Sequence, residues 1–391
     1  MITEELKTQL LTTPAELQAL EPEWNELLQA SAADNVFLTW EWMSAWTQWQ
    51  GAACDLRLWT VRRKRDGRLV GIAPLARRQR KLPGGIRYRE LVLLGSEPAA
   101  ADHLDFVVRR GEEETGVAAQ LRACFTKTQR ECDLVNLDGV ASGSTTLGPW
   151  LAALPRWSHQ ERVPAPYVEL PATWDAYLRG LHRNARAGIN RCGRALVDEV
   201  HPEPVAYRRI EREEDLDQGM DELIRLHQAI QIGRSHRGSF ADPGVAQFHR
   251  DVARRFLRRG WLYLSLLTVS ERPIAAIYVF SYAGKQWAYS TGYDREYQRF
   301  GPGRQVMAQA IHDAIAQGAR QFDLLRGAEP YKWLLTDRAR ELVFVQAPTS
   351  PFGMLLLGAQ TAARYSRPLA RRLRNGANRL VKRRSDDDSK H

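Results

Sequence analysis

The chain reads as an α/β protein of mixed (α+β) sheets, built from two similar units in tandem and a basic C-terminal helical tail. Three observations predict this. At 391 residues the chain is too long for one ordinary core, and two domains are the natural division. Apolar segments run strand, strand, helix, strand in both halves. A glycine pair, Gly301 and Gly303, stands at a strand-to-helix junction in the second half, where α/β proteins commonly hold ligands. The units are taken as 1–165 and 166–346, with the tail as 347–391.

In the first half, strands are predicted over Leu56–Arg62 and Leu69–Ala76, joined by the hairpin turn Arg65-Asp66-Gly67-Arg68. Leu91–Leu94 and Leu104–Val108 read as further strands. A helix over Glu113–Gln129 leads into a buried strand over Cys132–Gly139. In the second half, Trp261–Val269 and Ile274–Tyr282 pair through the turn Ser270-Glu271-Arg272-Pro273. Ala283-Gly284-Lys285 then turns into a strand over Gln286–Tyr293, followed by a helix over Arg304–Gln317 and a buried strand over Gln321–Leu325. A helix–Asp–apolar–Gly pattern recurs at Asp133/Gly139 and Asp323/Gly327. The tryptophans Trp42, Trp46 and Trp49 share a helix face and read as core, while Trp40 has the chemistry to stack on a sugar.

Gln298-Arg299-Phe300-Gly301-Pro302-Gly303 carries the most chemistry. Two glycines at a helix start let the backbone approach a ligand closely. They leave the first helical N–H groups pointing outward, where phosphate oxygens bind at the positive end of the dipole. Arg299 and Arg304 add full charges, so the stretch is a candidate pyrophosphate cradle; the alternative is a plain turn. The corresponding place in the first half, Arg109-Arg110-Gly111-Glu112-Glu113-Glu114, puts three carboxylates at the helix start and would repel a phosphate.

The bulk composition narrows the class. Hydrophobic residues make up 44% of the chain, enough for globular folding. The opening MITEELKTQLLTTPAELQAL has no basic stretch followed by an apolar core, so a cytoplasmic protein is expected. Cys54, Cys124, Cys132 and Cys192 show no metal-binding or disulfide spacing and read as reduced thiols. The net charge of +10 is uneven, because residues 355–384 hold nine Lys/Arg and no acid. Interleaved leucines make this a basic amphipathic helix broken at Pro368, suited to docking on its own domain, to an anionic membrane face or to nucleic acid.

The order hairpin, long strand, Gln-x-x-Gly-x-Gly, helix, strand resembles the GNAT acyltransferase fold. Gln298, Gly301 and Gly303 match that family's coenzyme A pyrophosphate loop. The duplicated arrangement resembles the tandem-GNAT branch, which includes the CelD-like (BioF2-like) acetyltransferases and the Fem-type enzymes that move amino acids from tRNA. FGPGRQVMAQAIHDAIAQG, FDLLRGAEPYKWLLTD, VGIAPLARR and LGSEPAAADHLDFVV look like the CelD-like group, across roughly residues 20–345. The resemblance implies tandem GNAT-like domains and an acyl-CoA co-substrate, acetyl-CoA first. By it, the amides of Gly301, Gly303 and Arg304 would hold the pyrophosphate, although Pro302 removes one donor. It also implies a small-molecule or lipid-linked acceptor, with a cell-envelope or polysaccharide precursor as the analogy; the alternatives are a Fem-like aminoacyl-tRNA-dependent transferase and a non-catalytic GNAT-fold scaffold at the membrane surface.

Acyl transfer from a thioester needs a base, oxyanion donors and an acid for the leaving thiolate. Arg326-Gly327-Ala328-Glu329-Pro330-Tyr331-Lys332-Trp333 follows the last predicted strand. Glu329 is the first candidate base and Asp323 the second; Tyr331 is the candidate acid, and Lys332 could bind an anionic group of the acceptor. Each also has an ordinary reading as a turn cap, a surface ion pair or an edge residue. Arg179, Arg183, Arg186 and Arg194 at spacings of 4, 3 and 8 fall on one helical face. Such a stripe repels itself, and a polyanion or the acids of 211–215 would relieve it. Arg183 and Arg186 are therefore candidate substrate contacts, as are Asp102 and Asp105, which lie beside a strand start and are expected to face the cleft between the units. His103 between two aspartates has a metal site's residue types, but no metal is expected. His227, His236 and Arg237 flank a basic loop, Arg234–Gly238, that reads as a substrate flap.

Overall fold

The computed structural model describes residues 5–111, 114–233 and 238–362. The tail from residue 363 and residues 234–237 of the expected flap, His236 and Arg237 included, lie outside the described residues. The first half holds β1 (Leu6–Leu11), β2 (Cys54–Leu56), β3 (Leu58–Arg63), β4 (Leu69–Ala73), β5 (Leu75–Lys81), β6 (Arg87–Leu93), β7 (Val107–Val108) and β8 (Leu134–Ala141). Its helices are α1 (Pro14–Gln18), α2 (Glu21–Gln29), α3 (Trp40–Gln50), α4 (Glu114–Gln129) and α5 (Gly148–Ala152). The segment expected as one strand over Leu69–Ala76 is two, because Pro74 lacks the N–H a ladder requires. There the chain leaves a four-stranded sheet, order β1-β3-β4-β7, and enters the larger one.

The second half holds β9 (His159–Glu169), β10 (Val205–Ile210), β11 (Leu262–Val269), β12 (Arg272–Tyr282), β13 (Lys285–Tyr293), β14 (Gln321–Asp323) and β15 (Ala339–Pro348). Its helices are α6 (Trp174–Gly180), α7 (Arg183–Val200), α8 (Glu213–Gly233), α9 (Pro243–Arg258) and α10 (Pro302–Ala316). A final helix spans 351–362. The four arginines do not share one helix. Leu181 is extended at ψ 146°, and the His182 side chain caps the next helix by accepting from Asn184 N–H, so Arg179 belongs to α6 and the others to α7.

One sheet joins the halves, in the order β10-β11-β12-β13-β14-β9-β15-β8-β6-β5-β2. At its centre the halves exchange strands. β9 follows the first half in sequence but pairs antiparallel with β14, while β15 follows β14 but pairs with β8. β9 and β15 pair with each other from Ala339↔Pro166 to Gln346↔His159. A boundary at 165/166 therefore falls inside β9, a strand that connects the two halves.

β12 reads as an almost unbroken apolar run because both its faces are covered. Ile277 and Val279 join the core beneath α7 and α10, while Tyr278 and Phe280 join the core that includes α8, α9 and the first half. Trp42 on α3, fully buried, meets Phe248 on α9 edge-on at 5.1 Å. Trp46 is also buried, and Trp49 stacks on Phe248 at 5.1 Å. Trp40 packs under the Arg255 guanidinium at 5.7 Å, so its face is occupied by protein.

The two halves differ at one decisive place. In each, two parallel strands pair briefly and then diverge. β6 and β8 pair at Glu90↔Leu134 and Leu91↔Val135, and the wedge beyond is filled by the chain near Ala101–Leu104. Leu104 N–H donates to Gly139 O at 3.0 Å, and a Cβ on Gly139 would lie 2.9 Å from Ala101 O. β13 and β14 pair over Lys285–Trp287 and Gln321–Asp323, and their wedge stays open.

Candidate functional site

The open wedge is a cavity of about 530 Å³. One wall is β13 beyond Trp287, where β14 no longer pairs and strand backbone faces the opening. The register with β12 shifts there, from Tyr278↔Ser290 to Val279↔Ala288, leaving Tyr289 as a bulged residue. The start of α10 forms a second wall, α7 contributes Ala185 and Ile189, and α8 contributes His227. The segment after β14 closes the floor. A Cβ on Gly292 would sit 2.3 Å from the His227 nitrogen, so glycine there lets α8 press directly on β13.

Gly301 takes the left-handed conformation (φ 57°, ψ 48°) and caps α10, and Pro302 fills the first helical position, where its missing N–H costs nothing. The cradle is thinner than the sequence implies. Gly301 N–H already donates to Gln298 O at 3.0 Å, and Arg304 N–H to Gly301 O at 2.9 Å. The Gly303 N–H remains free among the described residues. Gln298, Gly301, Gly303 and Arg304 line the cavity. Arg299 does not: its guanidinium pairs with Glu199 on α7.

The loop after β14 is fixed by its own polar groups. Leu324 N–H and Gly327 N–H both donate to β9, to Pro166 O and Pro164 O at 2.9 Å. Leu325 is held at φ 58°, a conformation costing about 1–3 kcal/mol for a bulky residue. Lys332, only 3% exposed, donates to Leu325 O at 3.1 Å and Arg326 O at 2.6 Å, and pairs with Glu329 Oε2 at 3.0 Å. An ammonium has three donors, so Lys332 is saturated by the loop it braces and has none left for an acceptor anion. Glu329 and Tyr331 line the cavity mouth, and Tyr331 is 47% exposed.

Asp323 is buried away from the cavity. Its Oδ1 accepts from Leu325 N–H at 2.8 Å, and Oδ2 lies 3.1 Å from Arg340 Nη1 and 3.3 Å from His103 Nε2. That network makes it a brace of the strand end instead of a base. Asp102 reaches the cavity wall, yet both its oxygens are engaged by Arg326, from the backbone N–H at 2.7 Å and from Nε at 2.5 Å. This contact clamps the two halves together. Asp105 faces a different cavity, and Arg183 and Arg186 lie on α7 outside the cavity lining, without ion pairs among the described residues. The triplet Asp102, His103 and Asp105 thus diverges to three separate partners. Among the described residues, no three His, Cys, Asp or Glu side chains are placed to hold a metal.

His227 is the group that sequence reasoning assigned to a flap and the structure brings to the cavity wall. It is 8% exposed, its ring meets Phe240 edge-on at 4.9 Å, and its Nδ1 has no hydrogen bond. Burial pushes its pKa below the ordinary 6.5, so the ring is neutral at pH 7 and able to accept a proton. Behind it His249, fully buried and pushed down to about 3, bonds Tyr289 Oη at 3.0 Å. Its spacing from the glycine loop, about 75 positions along the sequence, offers no local signal that it belongs there.

Residues 183–333 match the family model of an acetyltransferase (GNAT) domain. The fold is similar to the crystal structure of FemX, at 12% identity and a TM-score of 0.59, covering 90% of this chain and 100% of that one. It is also similar to a conserved protein of unknown function from Bacteroides thetaiotaomicron, at 11% identity and TM-score 0.52, covering 88% and 100%. A third likeness is to the C-terminal domain of a putative lysylphosphatidylglycerol synthetase from Agrobacterium fabrum, at 10% identity and TM-score 0.50, covering 89% and 97%. At these identities the likeness is one of fold. No curated protein matches the chain by sequence. The glycine-capped helix and most of the wedge lining lie within the residues that match the GNAT domain model. Across the whole chain the likeness is to the fold of these structures.

Proposed function

We propose that the protein moves an acyl group from an acyl-CoA, acetyl-CoA first, directly to an amine or hydroxyl of a small-molecule or lipid-linked acceptor. The observation that carries this reading is the open wedge between β13 and β14, with the free Gly303 N–H and the Arg304 side chain at its rim. Pyrophosphate oxygens suit that rim, and the thioester would reach inward along the unpaired β13 backbone, whose N–H groups suit a developing oxyanion. His227 takes the acceptor's proton, in preference to Glu329, which is tied to Lys332 and half-exposed. The acceptor's lone pair forms the new bond to the acyl carbon, the C–S bond breaks, and the thiolate receives a proton from Tyr331. No covalent enzyme intermediate is needed. A CelD-like acetyltransferase working on a cell-envelope or polysaccharide precursor fits this scheme by analogy.

One observation favours a second reading. A single free amide is a modest site for a pyrophosphate, and Arg183, Arg186 and Arg194 on α7 have no ion pair among the described residues. An aminoacyl-tRNA donor, as in the Fem-type branch, would use that surface for its backbone phosphates. Among the described residues no helix is long and apolar enough to cross a membrane. The nine basic residues of 355–384 support peripheral contact with an anionic membrane on the cytoplasmic side.

Calorimetry with acetyl-CoA, a long-chain acyl-CoA, free CoA and tRNA separates the readings. Micromolar CoA binding that is lost in Arg304→Glu, an exposed site whose guanidinium rests on Cys192 of α7, is the expected result, with an unchanged melting curve as the check on folding. His227→Gln should keep that affinity yet lose thiol release. Wild-type release should persist below the acid limb of an ordinary histidine, because the lowered pKa keeps the basic form present there. Salt-sensitive tRNA binding with no CoA binding would transfer the assignment to the second reading.

A further inference from the structure

A second cavity, of about 180 Å³, lies on the other side of Asp323 and His103 from the wedge. It is below the ~300–1,000 Å³ of pockets that hold drug-sized ligands, so nucleotides and CoA are excluded. Its wall is unusual in charge. Asp34, Asp105 and Glu114 face it from the first half, and from the second Lys285 on β13 and Arg340, whose guanidinium is paired with Asp323. Asp34, Asp105, Glu114 and Lys285 form no ion pair among the described residues.

Each charged group is held apart by its own surroundings. Asp105 gathers Phe106 N–H (2.7 Å), Ser144 Oγ (2.9 Å) and Thr146 Oγ1 on the one oxygen Oδ1, leaving Oδ2 without a protein partner. Asp34 accepts from Tyr282 Oη at 2.9 Å. The Lys285 ammonium sits 5.8 Å from the centre of the Trp287 ring, which also lines the cavity. Burial raises the pKa of both aspartates, that of Asp105 to about 6, and lowers that of Lys285. His103, nine-tenths buried, lines the same cavity, with its Nε2 3.3 Å from Asp323 Oδ2. Buried charges are ordinarily paired. Here opposite charges surround one small space: Asp34 and Lys285 attract each other without forming an ion pair, and burial still opposes the charge on Asp34, Asp105 and Lys285.

We propose that this cavity is a binding site for a free amino acid, whose ammonium is taken by Asp105 and Asp34 and whose carboxylate is taken by Lys285. A ligand carrying both charges relieves all three groups at once, and an uncharged ligand relieves none. The excess of carboxylates over ammonium on the wall favours small or basic side chains over acidic ones. The site does not depend on the acyl-transfer reading, since its residues are outside the wedge lining.

The test is calorimetry on the full chain with glycine, L-alanine, L-serine and L-lysine, with ethanolamine and acetate as ligands carrying one charge each. At least one amino acid should bind, and ethanolamine and acetate should each bind about tenfold more weakly or worse, because each lacks a charge-assisted contact. Asp105→Asn and Lys285→Met should each weaken the amino acid by about tenfold or more, while Lys285→Arg retains most of the affinity. A cooperative melting transition no lower than that of the wild type checks that the variants are folded. The proposal is overturned if no amino acid binds at millimolar concentration. It is equally overturned if binding survives both charge-removing variants, or if ethanolamine binds as well as the amino acids.

Discussion

Replacing Asp105 by Asn should stabilise the protein at neutral pH and leave it unchanged in acid. The carboxyl is buried, and desolvation lifts its pKa from 3.8 to about 6 despite three donors on Oδ1. A raised carboxyl pKa means the folded state holds its proton more tightly than the unfolded chain does. The associated stability is therefore complete below pH 4 and is lost as pH rises to about 6. A shift of about two units at 1.36 kcal/mol each makes the penalty at pH 7 about 3 kcal/mol. Asparagine keeps an oxygen for Phe106, Ser144 and Thr146 and carries no charge, so the penalty disappears. Urea unfolding of variant and wild type from pH 4 to 7 reads this directly. Asp138, also buried and raised to about 6, acts in the same direction in both proteins and cancels in the difference. A variant-minus-wild-type difference that stays flat across this range would refute the argument. So would a variant less stable at pH 7. The same substitution should abolish amino-acid binding, so the carboxylate would be a group kept at a cost in stability for a ligand.

Two further outcomes follow from backbone contacts. Gly292→Ala places a Cβ 2.3 Å from the His227 nitrogen and 2.5 Å from the Leu226 carbonyl carbon, with backbone on both sides. It should cost about 1–3 kcal/mol in thermal unfolding and weaken ligand binding in the wedge; an unchanged melting curve would show that α8 can shift freely. Lys332→Met leaves the Leu325 and Arg326 carbonyls without their donor and should destabilise the protein by about 1–3 kcal/mol. If the fold were unaffected and only the KM for the acceptor rose, the bracing role would be wrong.

Much of the fold was legible because it rests on local signals. Strand alternation, the turn at Arg65–Arg68 and the glycines at 301 and 303 each act within a few residues, and most of their elements formed within two residues of the expected limits; the exceptions are Leu69–Ala76, split at Pro74, and the strands expected over Leu91–Leu94 and Leu104–Val108, which run Arg87–Leu93 and Val107–Val108. The loop Arg326–Trp333 stands out in the sequence by its residue types, and the structure places Arg326, Glu329, Tyr331 and Lys332 along the wedge. Lys332 carries the same formula whether its donors face a ligand or its own loop, and only the path of the chain points them at Leu325 O and Arg326 O. Asp102 and Asp323 are likewise engaged by Arg326 and Arg340, which stand 224 and 17 positions away. The arginine stripe was misread because an extended Leu181 separates two helices that spacing alone joined.

By itself, the sequence determined the α/β class and the repeated order of elements, and it set the glycine pair Gly301 and Gly303 in one half against three glutamates at the matching place in the other. Tertiary structure decided the rest. It exchanged β9 and β15 between the halves, closed the first wedge with the chain near Ala101–Leu104 and left the second open. It also carried His227 to the wedge and set Lys285 opposite Asp105. The reason is physical: secondary structure follows from patterns a few residues long, whereas a cavity is the space left between elements whose relative positions depend on every contact in the core.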